Sequence, residues 1–258
     1  MYNNYSLSHI PERIAKPRKN GITMIMDKGL SCSQVSSMLE SGSDYIDIVK
    51  FGWATTYVAQ NLQSKLDIYK EVGIPVYFGG TLFEAFVIRG QFDDYRRLLD
   101  KYKLTHCEVS DGSIEMPQDM KCDYIQRLAK DFTVLSEVGS KDAEKIIPPY
   151  KWIQMMQAEL DAGSSMIIGE AREAGNVGLF RANGEVRSGL VEEILTKIPS
   201  EKILWEAPQK SQQVYFIKLC GQNVNLGNIA TNEAISLETI RLGLRGDTFD
   251  LYLDGMTL

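Results

Sequence analysis

Four stretches decide the fold: Thr105-His-Cys-Glu-Val109, Thr133-Val-Leu-Ser-Glu137, Met166-Ile-Ile-Gly-Glu170 and Ile203-Leu-Trp-Glu206. Each is a short apolar run with an acidic residue at or near its C-terminal end. Glu108, Glu137, Glu170 and Glu206 follow one another at intervals of 29, 33 and 36 residues. One strand, one helix and two short loops fill such an interval, the size of a βαβ repeat. Buried strands do not ordinarily end on carboxylates. Acids at corresponding strand ends point to a site on one rim of a parallel barrel.

The same pattern extends in both directions. Candidate strands cover Ile22–Met26, Tyr45–Val49, Val76–Gly79, Thr105–Val109, Thr133–Glu137, Met166–Glu170, Ile203–Glu206 and Val224–Leu226. Most are continuous apolar runs without alternation, as expected of strands covered on both faces. Helical stretches are predicted between them, at Ser33–Ser41, Thr56–Val72, Phe92–Tyr102, Asp123–Ala129, Lys151–Leu160, Val191–Ile198, Gln212–Leu219 and Asn232–Leu242. Gly42, Gly73 with Pro75, Gly163, Pro199 and Gly221 supply helix-stop signals. Unbroken β-α alternation implies a parallel sheet, and eight units imply a closed (β/α)8 TIM barrel, an α/β fold in one domain. Residues 21–258 are assigned to the barrel with a C-terminal cap, and residues 1–20 to an N-terminal extension over the barrel bottom or a neighbouring subunit. An open doubly wound sheet is the alternative; no G-x-G-x-x-G follows the first strand to support it.

Composition narrows the function. A chain of 258 residues matches one such barrel. The net charge of −6 argues against nucleic acid as a partner. No apolar run is long enough for a membrane span, and no secretory leader is expected. Cys32, Cys107, Cys122 and Cys220 form no C-x-x-C pair, which fits reduced thiols in a cytoplasmic protein. The two histidines, His9 and His106, leave little material for a serine-type triad or a His-rich metal site. Any metal is therefore expected to be a hard ion held by carboxylates, Mg²⁺ first.

In a barrel, the segments that follow the strands meet at one mouth. Here they are Asp27-Lys28-Gly29, Lys50-Phe-Gly-Trp53, Gly79-Gly80-Thr81, Glu108-Val-Ser110-Asp111-Gly112, Ser136-Glu137-Val-Gly139-Ser-Lys141, Glu170-Ala-Arg172-Glu173, Glu206-Ala-Pro-Gln209-Lys210 and Asn225-Leu-Gly227-Asn228. A single acid after a strand commonly caps the next helix or pairs with a basic neighbour. Charges of both signs after nearly every strand point instead to a site. Glu137, Glu170 and Glu206, on consecutive strands, are the expected ligands of a shared divalent cation, with Asp27 and Asp111 as alternatives or more distant members. Asn225, Gly227 and Asn228 before the last major helix match the usual barrel phosphate site. Gly178, in Gly175-Asn-Val-Gly178, is placed in a loop that closes over a ligand, and Arg172 and Arg181 complement an anionic substrate. Arg245-Gly246-Asp247 is read as the turn that closes the last helix.

As a set, Asp27-Lys-Gly29, Lys50-Phe-Gly52, Gly79-Gly-Thr-Leu-Phe-Glu84, Ser110-Asp-Gly112, Ser136-Glu-Val-Gly139, Trp205-Glu-Ala-Pro208 and Asn225-Leu-Gly-Asn-Ile229 resemble the phosphosulfolactate synthase family. The resemblance runs from about Gly21 to Asp247. It implies a Mg²⁺-dependent (β/α)8 barrel that adds sulfite to phosphoenolpyruvate, giving (2R)-phospho-3-sulfolactate. It also implies a place in coenzyme M biosynthesis, as in methanogens, or in sulfolactate formation, as in bacteria. By the same resemblance Lys141 is the proton donor to C2, although here a serine separates it from Gly139. Lys28 and Lys50 would hold phosphate, carboxylate or sulfite. Two other readings stand beside this one: a Schiff-base aldolase of the same fold using Lys50 or Lys141, and a non-catalytic, stress-related barrel like the plant relatives. A homo-oligomer, joined through the N-terminal extension, is compatible with each.

Overall fold

The computed structural model describes residues 4–140 and 147–253. It contains eight parallel strands: β1 (Thr23–Asp27), β2 (Ile48–Phe51), β3 (Val76–Phe78), β4 (His106–Val109), β5 (Thr133–Val138), β6 (Met166–Gly169), β7 (Ile203–Glu206) and β8 (Leu226–Ala230). They form a single sheet in the order β3-β2-β1-β8-β7-β6-β5-β4, curled so that β3 and β4 meet. Around it run α1 (Cys32–Gly42), α2 (Thr55–Val58), α3 (Leu62–Glu71), α4 (Gly80–Val87), α5 (Phe92–Lys101), α6 (Gln118–Leu128), α7 (Pro149–Asp161), α8 (Ser188–Leu195), α9 (Lys210–Cys220) and α10 (Ala234–Arg241). The protein is thus a nearly closed (β/α)8 barrel in one domain.

Strand alternation sorts the side chains into shells. Ile25, Val49, Phe51, Phe78, Cys107, Val134 and Val138 face outward and pack with the helices in the larger core. Met24, Ile48, Tyr77, Leu135, Ile168 and Leu204 face inward and fill the lower half of the barrel. Each inward position recurs two residues later along a strand. The next inward positions after Ile48, Leu135, Ile168 and Leu204 are therefore Lys50, Glu137, Glu170 and Glu206. A polar layer sits directly on an apolar one, at the C-terminal ends of the strands. Outside, Trp205 stacks on Phe216 of α9 with ring centroids 4.9 Å apart, a contact worth about 1 kcal/mol beyond area burial.

β8 departs from strict alternation. Its register against β1 passes from Thr23↔Leu226 to Ile25↔Ile229, so β8 carries one extra residue there. Asn228 takes up the extra length with φ +54°, a β-bulge. Gly227 then faces the lower interior, where a Cβ would come 2.8 Å from Met24 Cε.

Side chains and loops bridge the β3–β4 seam. The N–H of Gly80 donates to Glu108 Oε1 at 2.6 Å, the Ser110 hydroxyl donates to Glu84, and the Ser113 N–H donates to Glu84 Oε2 at 2.6 Å. At the opposite end, Arg13 pairs with Glu238 at 3.0 Å and Arg18 with Asp47 at 3.0 Å, which ties the N-terminal segment across the strand starts. A cavity of about 610 Å³ lies at that end, walled by residues 16–20 and floored by Ile48, Leu135 and Leu204. Thr248 N–H donates to Arg245 O at 2.8 Å, so Arg245–Thr248 forms the turn after α10.

All eight expected strands are present, with differences at β2 and β8. Residues 43–45 form a 3-10 turn, and β2 starts at Ile48. β8 begins where the expected strand ended. The helix expected over 56–72 is two helices, α2 and α3, broken where Asn61 takes φ +57°. α4 was not anticipated, because Gly79-Gly80 reads as a turn and no side chain caps the helix.

Candidate active site

A cavity of about 690 Å³ opens at the C-terminal ends of the strands. Met26, Lys50, Trp53, Gly80, Glu108, Glu137, Glu170, Arg172, Glu206 and Asn228 are among its lining residues. Lys50 stands at its centre, on β2. Its Nζ lies 3.0 Å from Glu108 Oε2, 3.3 Å from Glu206 Oε1 and 3.6 Å from Glu137 Oε2. All four side chains are almost wholly buried. Burial by itself favours the neutral amine. The charges of Glu108, Glu206 and Glu137 outweigh it and hold the Lys50 pKa well above the ordinary lysine value.

Glu137, Glu170 and Glu206 each bring one carboxylate oxygen to within 4.8 Å of the other two. They come from β5, the residue after β6, and the end of β7, three neighbours in the ring. Backbone donors fix two of them: Ala171 N–H reaches Glu206 Oε2 at 3.0 Å, and Arg172 N–H reaches Glu170 Oε1 at 2.5 Å. Burial, with the Glu137 and Glu108 charges adding to it, pushes the Glu206 carboxyl up to about 7 against the lowering effect of Lys50. Three hard oxygen donors, buried and converging, are the donor set that suits Mg²⁺.

The other proposed cation ligands lie elsewhere. Asp27 is in phase with Ile25, which faces the helices, so its side chain leaves the mouth. It pairs with Lys65 of α3 at 2.7 Å and accepts from the Tyr69 hydroxyl at 3.2 Å and from the N–H groups of Gly29 and Leu30. Asp111 pairs with Lys121 of α6 at 2.8 Å. Lys121 also meets Glu159 at 2.9 Å and donates to the Glu137 carbonyl at 2.6 Å. Asp111 thus sits behind β5 rather than inside the ring.

The anion-binding expectations divide similarly. Arg172 lines the mouth, with φ +54°. Asn228 also lines it and is buried; among the described residues its Oδ1 has no hydrogen-bond partner. Lys28 sits at the edge, paired with Glu173 of the loop after β6. Asn225 is at the opposite end of β8: its side-chain Oδ1 accepts from Ile22 N–H at 3.1 Å, and its side-chain amide donates to the carbonyls of Glu201 and Ile203. Those bonds anchor the strand starts. Gly227 fills space in the lower interior. Thr231 and Asn232, ahead of α10, line a cleft against α1 instead of the mouth.

Gly178 (φ +60°) packs where a Cβ would lie 2.1 Å from the Glu170 carbonyl oxygen, so it backs Glu170 directly. The 175–184 loop is tied to α9, since Gln212 Nε2 donates to Gly175 O at 2.8 Å and Gly184 O at 3.1 Å. Arg181 is exposed beside Glu185, 3.8 Å away, and outside the mouth lining. Lys141 lies outside the described residues. Glu108, one of the four strand-end acids, faces the mouth. Its pairing with Leu135 puts it in phase with the interior residues. Trp53 and Tyr77 left no local signal.

Solved structures with this architecture include 3-hexulose-6-phosphate synthase from Salmonella typhimurium, at a TM-score of 0.58 and 14% identity over 87% of this chain and 100% of that one. A 3-keto-L-gulonate-6-phosphate decarboxylase from Vibrio cholerae O1 biovar El Tor matches at a TM-score of 0.54 and 10% identity, over 90% of this chain and 99% of that one. At such identities they speak to the fold alone. Sequence relatives are much closer. Phosphosulfolactate synthase of Methanothermobacter thermautotrophicus is 42% identical over 92% of this chain and 95% of its own. That of Bacillus subtilis is 39% identical over 96% and 100%, and that of Methanocaldococcus jannaschii 43% over 90% and 94%. The family model described as (2R)-phospho-3-sulfolactate synthase (ComA) matches residues 11–247. On that span, and on the similarity to three such synthases along nearly their whole length, the chain belongs to the (2R)-phospho-3-sulfolactate synthase family.

Proposed function

We propose that the protein is a C–S bond-forming lyase that adds sulfite to phosphoenolpyruvate and releases (2R)-phospho-3-sulfolactate, with Mg²⁺ held by Glu137, Glu170 and Glu206. The observation that carries the reading is the family match over residues 11–247, coinciding with a mouth that gathers three carboxylates and an ammonium.

Sulfite is already a good nucleophile. Its sulfur lone pair forms the new bond to C3, and the C2–C3 π electrons become a carbanion at C2, beside the carboxylate. A proton delivered to C2 completes the product. The barrier lies in the charge that accumulates next to an existing carboxylate. Bound Mg²⁺ would disperse that charge as a Lewis acid. Lys50, a fixed ammonium in a buried site, faces the substrate's carboxylate end and lowers the same charge. Arg172 at the rim and the Asn228 amide bind the remaining anionic oxygens, with Lys28 at the edge. Lys141, three residues past β5, is assigned the proton delivery to one face of C2, which fixes the configuration.

An imine mechanism needs a neutral amine. The three carboxylates around Lys50 keep it charged, which weighs against an aldolase working through this lysine. The setting we assign is a cytoplasmic enzyme of small anionic substrates whose product enters coenzyme M or sulfolactate synthesis. Among the described residues no helix is long and apolar enough to cross a membrane.

The test mixes the protein with phosphoenolpyruvate, sulfite and Mg²⁺ and follows loss of the enol absorbance, with the product identified by phosphorus NMR. Turnover that stops on chelation is the expected result. No turnover with or without metal overturns the reading.

A further inference from the structure

The mouth holds a fourth carboxylate, Glu108, that stands apart from the three grouped around the cation position. Both of its oxygens are engaged. Oε1 accepts the Gly80 N–H at 2.6 Å, across the β3–β4 seam, and Oε2 meets Lys50 Nζ at 3.0 Å. Of the three carboxylates that face Lys50, Glu108 is the closest, ahead of Glu206 at 3.3 Å and Glu137 at 3.6 Å.

Those distances matter once a cation is present. Glu206 and Glu137 would then direct their charge to the metal, and the metal itself would repel the ammonium. Glu108, outside that cluster, would keep its ion pair with Lys50. Its own position is set by a backbone donor on a helix start. Gly80 admits no side chain, because a Cβ there would lie 2.1 Å from Ser110 Oγ and 2.6 Å from Glu108 Oε1. Tyr77, the register partner of Lys50, is buried beside it and uncharged, so it supplies no substitute counter-charge.

We propose that Glu108 is a positioning residue: from outside the cation cluster it fixes the Lys50 ammonium at the centre of the mouth, where Lys50 binds the carboxylate of phosphoenolpyruvate. The proposal rests on the reaction given above for its substrate. The same carboxylate spans the one seam that lacks a strand ladder in the described sheet, so it contributes both to closing the ring and to placing the charge.

The experiment is a double-mutant cycle on binding, with Glu108→Gln, Lys50→Met and the pair together. Glutamine keeps an acceptor for Gly80 and removes the charge. Phosphoenolpyruvate affinity is measured calorimetrically without sulfite, at Mg²⁺ concentrations shown to saturate each variant, so no turnover is required. We expect each single variant to bind at least 10-fold more weakly than the parent, and the double variant to bind no more weakly than Lys50→Met. Full additivity, which is what an independent structural role gives, overturns the proposal. So does a Glu108→Gln variant that binds like the parent, or a parent that binds no phosphoenolpyruvate. If Glu108→Gln does not fold, Glu108→Asp retains the charge but withdraws it by one methylene; unchanged affinity in that variant also overturns the proposal. A parent that binds phosphoenolpyruvate with the expected cycle yet never forms a C–S bond refutes the reaction and leaves the positioning role standing.

Discussion

The Asp27 carboxylate lies 2.7 Å from the Lys65 ammonium, on the helix side of β1 and turned from the mouth. Both groups are buried, and Lys65 also lies over the Phe51 ring at 4.8 Å. The pair pins α3 to the sheet. Removing one partner of a buried pair strands the other and costs about 3–5 kcal/mol. Lys65→Met is expected to lower unfolding stability by that amount in denaturant titration and to leave Mg²⁺ affinity unchanged. A lost Mg²⁺ affinity with intact stability would instead assign Asp27 to the metal.

Glu137→Gln and Glu170→Gln each remove one charge from the trio. Each is expected to weaken Mg²⁺ binding by at least 10-fold and to abolish the Mg²⁺-dependent rise in Tm, while leaving the metal-free protein as stable as the parent or more so. Calorimetric titration with Mg²⁺ and thermal scans at fixed pH check both halves.

The same crowding predicts a pH dependence. Burial raises the Glu206 carboxyl to about 7, above its unfolded value. Between roughly 4.5 and 7 the unfolded chain releases this proton before the folded one does, so folding loses stability as pH rises, and the cost is complete above 7. Mg²⁺ removes the penalty by binding the ionised form. The Mg²⁺-induced increase in Tm is therefore expected to be larger at pH 8 than at pH 6; an equal or smaller increase at pH 8 contradicts it.

His106 carries a pH effect of the opposite slope. Burial lowers its pKa in the folded state. Below about 6.5 the unfolded chain takes up a proton that the folded chain refuses, so stability falls with falling pH until the folded-state pKa is passed. His106→Gln is expected to flatten this limb in denaturation midpoints measured from pH 7 to 5. A limb of unchanged slope rules His106 out as its source.

Gly178→Ala places a methyl against the Glu170 carbonyl in a backbone region that disfavours side chains. A loss of about 1–3 kcal/mol is expected from the strain and overpacking, with weakened Mg²⁺ binding because Glu170 is displaced. Gly246→Ala, which meets nothing within 4 Å, is the matched control and should change neither property.

The barrel was legible because its strands are continuous apolar runs between helix-stop signals, and that pattern survives local errors of boundary. Glu137, Glu170 and Glu206 were legible for the same reason: each ends a run, and consecutive strands in the chain are neighbours in the ring. Asp27 also ends a run, yet it faces the other way. Only the phase distinguishes it, since it follows Ile25 by two and not Met24, and phase cannot be read from a strand that is apolar on both faces. On β4 two acids compete for the strand end, Glu108 and Asp111, and only the phase set by the pairing of Glu108 with Leu135 selects Glu108. Asn225 and Gly227 were misplaced because β8 starts at Leu226, where the expected strand ended, so both lie near its beginning and not past its end. Gly178 was recognised as important, but as part of a closing loop; its packing against Glu170 depends on a contact eight residues away.

The stacking of a charged tier on a greasy one inside the ring reaches beyond chemistry. Were β5 or β7 to slide by a single residue, Glu137 or Glu206 would swing outward, into the oily layer beneath the helices, with no counter-ion to receive it. Mispaired sheets therefore carry a heavy penalty that a purely aliphatic lumen would not impose. The groups that would grip the substrate also proofread how the strands are aligned while the chain folds.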